Sequence, residues 1–305
     1  MDKPGKTTTT PLPNPPPQGG RERTEQVAPI EEVEASVERS RAQRAARTRV
    51  SAVLAPLGVV IALLAIWEAG TRGFGVPVFL LPPPSAVVAA MIRHAPLLAA
   101  GGWVTTIEIV LGFALSIAVG IPLALMIFLW PAFARTVMPL LVSSQAMPKV
   151  AVAPLLLVWF GFGLMPKVLI AFLIAFFPVV INTAVGLAAI EPEKILLARS
   201  MGLGAIDTFL KIRLPDALPS IFAGLKISIT LAVVGAVVGE FVGGDAGLGY
   251  LLMVANGSMD TQLLFAGIVC LTILGVGLYL IVELAERLAL PRHIIARDRG
   301  AGGTA

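Results

Sequence analysis

Six stretches of this sequence run for about twenty residues with almost no charge, and that recurrence limits the folds open to the chain more than any other feature. They lie at 50–67, 105–130, 137–160, 168–187, 221–242 and 263–282. Each is long enough to cross the hydrocarbon layer of a bilayer as a helix, where every backbone polar group must be satisfied inside its own segment. Composition agrees. Hydrophobic residues make up 56% and charged ones 14%, with mean hydropathy +0.87, more apolar side chain than a water-soluble domain buries. The 30 Gly and 24 Pro sit largely within or between the apolar runs, so neither a collagen-like nor a wholly disordered chain fits. One Cys and two His exclude a disulfide framework and a zinc cluster of ordinary spacing. The sequence therefore predicts an all-α integral membrane protein of six transmembrane helices.

Residues 1–49 hold a Thr run, a Pro cluster and mixed charge, and read as a disordered cytoplasmic tail. With the N-terminus inside, fourteen Lys and Arg from Arg39 onward fall on the cytoplasmic side and three, Arg72, Arg93 and Lys167, outside, which predicts N-in/C-in with a cytoplasmic tail at 291–305. The net charge of +4 is thus a topology signal, and no basic stripe interleaved with aromatics points to nucleic acid. The third window contains Ser143, Ser144, Gln145, Pro148, Lys149 and Pro154, as a bent helix would. Between the first two windows, 79–100 reads as an interfacial helix on the outer surface, capped by Ser85 and interrupted by Arg93 and His94.

The polar stretch 191–219 between the fourth and fifth windows is longer than most connections, and predicts two short amphipathic helices. Pro192 opens the first, Gly202 and Gly204 break it, Asp207 begins the second and Pro215 stops it. Ile195, Leu196 and Met201 give the first an apolar side, as Ile206, Phe209, Leu210 and Ile212 do the second. Such a knob has no core of its own and calls for a partner with a groove.

Gly202, nine intervening residues and then Ile212-Arg213-Leu214-Pro215 resemble the EAA loop of permease subunits in bacterial ABC importers, whose pattern is Glu-Ala-Ala, three residues, Gly, nine residues, Ile-x-Leu-Pro. Ala198 also falls in register; Leu196-Leu197 stand where the family has Glu-Ala. The blocks FLLPPPSAV at 79–87, PKVAVAPLLLVWFGFG at 148–163, FFPVVINTAVGL at 176–187 and GLGYLL at 247–252 are similar to those of the group importing nitrate, sulfonates and taurine, which also includes riboflavin and pyrimidine-precursor permeases. The resemblance covers 50–290 and implies the type I ABC importer permease fold in the bacterial inner membrane. It implies a homodimeric permease served by two ATP-binding subunits and an extracytoplasmic solute-binding protein. On this resemblance Ala198, Arg199, Gly202, Asp207, Lys211, Ile212, Arg213, Leu214 and Pro215 couple the chain to the ATPase. No phosphate-binding G-x-x-x-x-G-K-[ST] occurs, so ATP is handled by the partner, and no nucleophile and base are spaced for catalysis; no cofactor or metal is expected on this chain.

Within the windows, Gly235, Gly239 and Gly243 recur every four residues and mark a packing seam. Lys149, Asn182 and Glu240 are polar groups that could line a solute path, with Glu240 close enough to the outer end for water to reach it. Glu108 reads as interfacial. A small anion such as a sulfonate, taurine or nitrate is the expected solute; the aromatics of the third and fourth windows suit a planar vitamin or precursor as the alternative. An ion-driven secondary transporter is the rival class, and would show duplicated halves, which this sequence lacks.

Overall fold

The computed structural model describes residues 58–290. The expected tails at 1–49 and 291–305, and the start of the first apolar window, lie outside the described residues. Of the two units into which the chain divides, Met1–Leu63 contributes residues 58–63, a helical stretch exposed along its length. Everything else belongs to the second unit, Leu64–Ala305.

Every regular element among the described residues is helical. Helix α1 is described over 58–73, running past the expected end at Trp67. It is followed by α2 (Pro84–Arg93), α3 (Ala95–Leu129), α4 (Pro131–Gln145), a 3-10 turn (Lys149–Val152), α5 (Ala153–Phe160) and α6 (Leu164–Ala188). Then come α7 (Pro192–Ser200), α8 (Ala205–Thr208), a π-helical turn (Phe209–Arg213), α9 (Leu214–Gly243), α10 (Leu248–Gly257) and α11 (Thr261–Ala289). Among the described residues four helices are long and apolar enough to cross a membrane: α3, α6, the continuous Ala205–Gly243 helix and α11.

The third window is a sharply bent pair of helices. Pro131–Gln145 and Lys149–Phe160 meet at 86°, at a break where Pro148 has no backbone donor to carry the helix on. Residues 79–100 are not one helix either, since α2 ends at Arg93. Val87 and Ala90 of α2 are buried against Leu98, Leu248 and Ala266, and the chain from Ala95 onward is already the long α3. Ser85 makes no cap for its own helix. Instead Glu68 of α1 receives both the Ser85 amide (3.0 Å) and hydroxyl (2.7 Å), so the orphan donors at the start of α2 are met from another helix.

The core lies where α3, α6 and α9 press together: Ile109, Ala171, Ala175, Ile229, Ala232 and Ala236. Small residues let these backbones approach. A Cβ on Gly235 would stand 2.5 Å from the Ala171 Cα, one on Gly239 3.0 Å from the Lys167 Cα, and one on Gly243 would overlap the Leu157 side chain. Without a hydrophobic drive between helices in lipid, such close packing is a main source of association.

Candidate coupling site and the buried polar cluster

Two regions carry polar chemistry, at opposite ends of the Ala205–Gly243 helix. The first is 191–219. Pro192 occupies the first turn of α7, where its missing N–H is no loss. The helix ends in a Schellman arrangement: Gly202 N–H donates to Arg199 O (3.0 Å) and Leu203 N–H to Ala198 O (3.1 Å). Gly202 adopts φ +78°, a conformation that a side chain disfavours. Ala198 is fully buried and seats the loop, while Arg199 faces solvent.

Pro215 does not stop the second helix. It lies in the first turn of α9, and α8, the π turn and α9 form a single helix of 39 residues, about 58 Å long. A proline has no N–H for the carbonyl four residues back, and the π turn absorbs that misfit, with the Leu214 N–H reaching five residues back to Phe209 O. Phe209 and Leu214 pack on Leu187, Ala217 and Ile221, and Ile212 and Pro215 are half-buried. Asp207 pairs with Lys211 at 2.8 Å, and Lys194 of α7 with Asp216 of α9 at 2.7 Å, so the two halves of the loop are tied by a contact that sequence spacing did not reveal. Arg213 lies 4.9 Å over the Phe128 ring, a cation–π contact, beside a hollow of about 570 Å³ walled by Phe128, Leu129, Ile206, Phe209 and Leu210. Leu196, Leu197, Met201 and Ile206 are each more than 60% exposed. An apolar surface of that kind, on a rim carrying Arg199 and the Asp207–Lys211 pair, has the composition of a protein-binding face.

The second region lies at the far end of the same helix. Glu240 is fully buried, not reached by water as its place in the sequence suggested. Its carboxylate accepts the Thr105 hydroxyl at 2.6 Å and the Gly249 amide. Glu108, read as interfacial, is fully buried too, and its Oε1 is 3.0 Å from Lys167 Nζ. Lys167, counted as an outward-facing charge, is 2% exposed and reaches Asp245 Oδ1 (3.2 Å) and Ala246 O (3.4 Å) as well. Asp245 lies in the loop after α9, and the hydrogen bond from Lys167 holds its carboxyl below the usual range. Nothing in the spacing marks this cluster, since its members are brought together only by helix packing. The one available signal was an ionisable residue in each of three apolar stretches.

The other sequence candidates are dispersed. Lys149 is half-buried in the 3-10 turn at the bend, and Asn182 donates to Pro178 O of its own helix at 2.9 Å. Gly235, Gly239 and Gly243 lie on the α9 face toward α6 and α5, and bring none of these polar groups together with the coupling loop. Among the described residues no group of His, Cys, Asp and Glu is arranged to hold a metal ion.

A bundle of long apolar helices with a bent pair and an exposed apolar knob at one end defines a multi-pass membrane protein built to engage a partner. Residues 116–292 match the family described as binding-protein-dependent transport system inner membrane component, and the chain belongs to that family. It is 36% identical to the formylaminopyrimidine transport permease of Halalkalibacterium halodurans, over 78% of this chain and 95% of that one. It is 37% identical to the riboflavin transport permease of Chloroflexus aurantiacus (74% and 85%), and 32% identical to a putative aliphatic sulfonates permease of Bacillus subtilis (74% and 82%). A chain of the MetNI methionine ABC transporter in an inward-facing conformation shares the fold, with TM-score 0.58 and 20% identity, over 65% of this chain and 99% of that one. The chain is an ABC importer permease subunit of the inner membrane.

Proposed function

We propose that this permease works as a homodimer with two ATP-binding subunits on the α7 side, which is cytoplasmic, and a solute-binding protein on the α10 side, which is extracytoplasmic. Both termini are then cytoplasmic, in keeping with the Lys/Arg distribution, and α1 and the bent α4–α5 pair complete six spans. The observation that carries this reading is the 191–219 loop. Its apolar face is exposed on α7 and α8, and its second half is the end of a helix about 58 Å long, so a displacement of the knob is delivered across the membrane without a joint. Ala198, Gly202, Ile212, Leu214 and Pro215 shape and anchor the knob, and Arg199, Asp207, Lys211 and Arg213 form its charged surface. Membrane vesicles carrying the permease, its ATPase and its binding protein should accumulate solute only with ATP; accumulation without the ATPase would reject the reading.

Two solute chemistries are supported by different observations. The planar heterocycle has the better support: Trp159, Phe160 and Phe162 are exposed at the C-terminal end of α5 and in the turn to α6, and the formylaminopyrimidine and riboflavin permeases are the more similar of the named relatives. A small anion is supported by Lys149, the one described lysine without a carboxylate in ion-pair reach among the described residues. Lys149→Gln separates them. Import of a neutral heterocycle should stay within about twofold of wild type, since the lost charge contributes little to binding an uncharged ring, whereas import of a sulfonate should fall about tenfold, as expected for a charge-assisted contact.

A further inference from the structure

The block GLGYLL, part of the resemblance but without a role in the coupling loop, gains one in the structure. Gly247 takes φ +116°, and a side chain on either Gly247 or Gly249 would run into Glu240: a Cβ at Gly249 would be 2.6 Å from Oε2. Gly101 of α3 faces the same segment, its Cβ position 3.2 Å from the Gly247 carbonyl carbon. Two glycines and a third opposite them thus let the first amides of α10 sink onto buried acceptors. Gly249 N–H goes to Glu240 of α9, and Leu248 N–H goes to Thr105 Oγ1 of α3 at 2.8 Å. The Thr105 hydroxyl in turn lies within donating distance of Glu240 Oε1 at 2.6 Å and of Gly101 O of its own helix at 3.1 Å, the shorter contact being to Glu240. These are the orphan donors of a helix start, and a carboxylate there is favoured by the helix dipole. The α10 helix has no cap of its own. Its start is held by one residue from each of two neighbouring helices, and one of the two lies on the helix whose other end is the coupling knob.

We propose that Thr105 and Glu240 are positioning residues for transport: they clamp α10 to α3 and to the end of the α8–α9 helix, so that α10 follows that helix when the knob is displaced. Glu108, Lys167 and Asp245 brace the clamp from α3, α6 and the 244–247 loop. The proposal rests on the importer reading for its transport consequence, but the clamp itself is a property of this chain.

The test compares Thr105→Val with Thr105→Ser in full-length permease purified with its ATPase in lipid nanodiscs. Val keeps the shape and removes the hydroxyl; Ser keeps the hydroxyl and removes a methyl. If the hydroxyl positions α10, amide hydrogen exchange across 247–252 should rise about tenfold or more in Thr105→Val, the size expected for losing a buried hydrogen bond to a charged group. It should return to within about threefold of wild type in Thr105→Ser. Stimulation of ATP hydrolysis by the binding protein should fall and recover in parallel. A site used only for packing gives the opposite order, with Val tolerated and Ser impaired, and that order overturns the proposal, as does wild-type exchange in Val. Gly249→Ala is the second variant. It leaves Thr105 in place and drives a Cβ at Glu240, and is expected to match Val; wild-type exchange there also counts against the clamp. Loss of the ATPase from the wild-type preparation would contradict the importer reading, while the exchange rates would still decide for or against the clamp.

Discussion

At the scale of single residues, three positions matter most. Gly202 closes α7 with φ +78°, and with open space around it the cost of a side chain there is conformational, not steric. Gly202→Val should cost about 1–2 kcal/mol locally, because a β-branched residue disfavours the left-handed region. The α7 end should fray, the chain should still insert, and ATP hydrolysis should run on without solute uptake; tight coupling in this variant would contradict the role of the turn. Asp245 responds to pH. Lys167 holds its carboxyl below the ordinary 3.8, so the contact adds stability above that value and loses it as pH falls through the lowered folded value. With the Asp245 side chain 77% exposed the effect is no more than about 1 kcal/mol. Asp245→Asn should melt slightly below wild type at pH 7, and the two melting curves should converge as pH falls through the lowered folded value; a constant gap across that range would show that the pair does not titrate as described. Glu240 is the third, a buried carboxylate with a hydroxyl and an amide donor aimed at it.

Among elements, α9 matters most, because its small residues set how closely α6 and α5 approach. The three glycines of its seam are not equivalent. Gly235 faces backbone, the Ala171 Cα, which cannot turn aside, whereas Gly243 faces the Leu157 side chain, which can. Gly235→Ala should therefore lower stability by about 1–3 kcal/mol, the usual cost of overpacking, and Gly243→Ala by less. Thermal unfolding of the two variants in the same detergent checks the order, and equal losses would contradict it. The sequence locates α6, α9 and α11 but stops short of their ends, by seven residues at the start of α9 and at the end of α11, because length and hydropathy define the span and not the helix that runs on beyond it. Two elements depart from the sequence expectation for identifiable reasons. Pro215 reads as a stop, since a π turn that rescues a proline leaves no mark in hydropathy. The third window is bent, as its polar residues and prolines foretell, but nothing in its apolar content sets the bend at a near right angle.

For the whole molecule, the organising feature is one helix from Ala205 to Gly243 that carries an exposed apolar knob at one end and the buried Glu240 at the other. The knob was legible from Gly202 and Ile212-Arg213-Leu214-Pro215, because local turn chemistry and amphipathic spacing are written in neighbouring residues. The cluster was not. Thr105, Glu108, Lys167 and Glu240 come from three helices, and each charged member looks alone in its own window as an interfacial or water-reached group. Only the packing of α3, α6 and α9 reveals that Thr105 bonds Glu240 and Lys167 pairs with Glu108, in a place where an unpaired charge is costly.

The central claim, that the exposed face of α7 grips an ATP-hydrolysing subunit, is tested most directly by cross-linking from Leu197, which is 61% exposed and clear of the buried anchor Ala198. Leu197→Cys carrying a short photoreactive linker, in membranes that contain the whole transport system, is expected to capture the ATPase subunit, with a yield that changes between nucleotide-free and ATP-trapped states. Capture of lipid alone, or a yield indifferent to nucleotide, would contradict it.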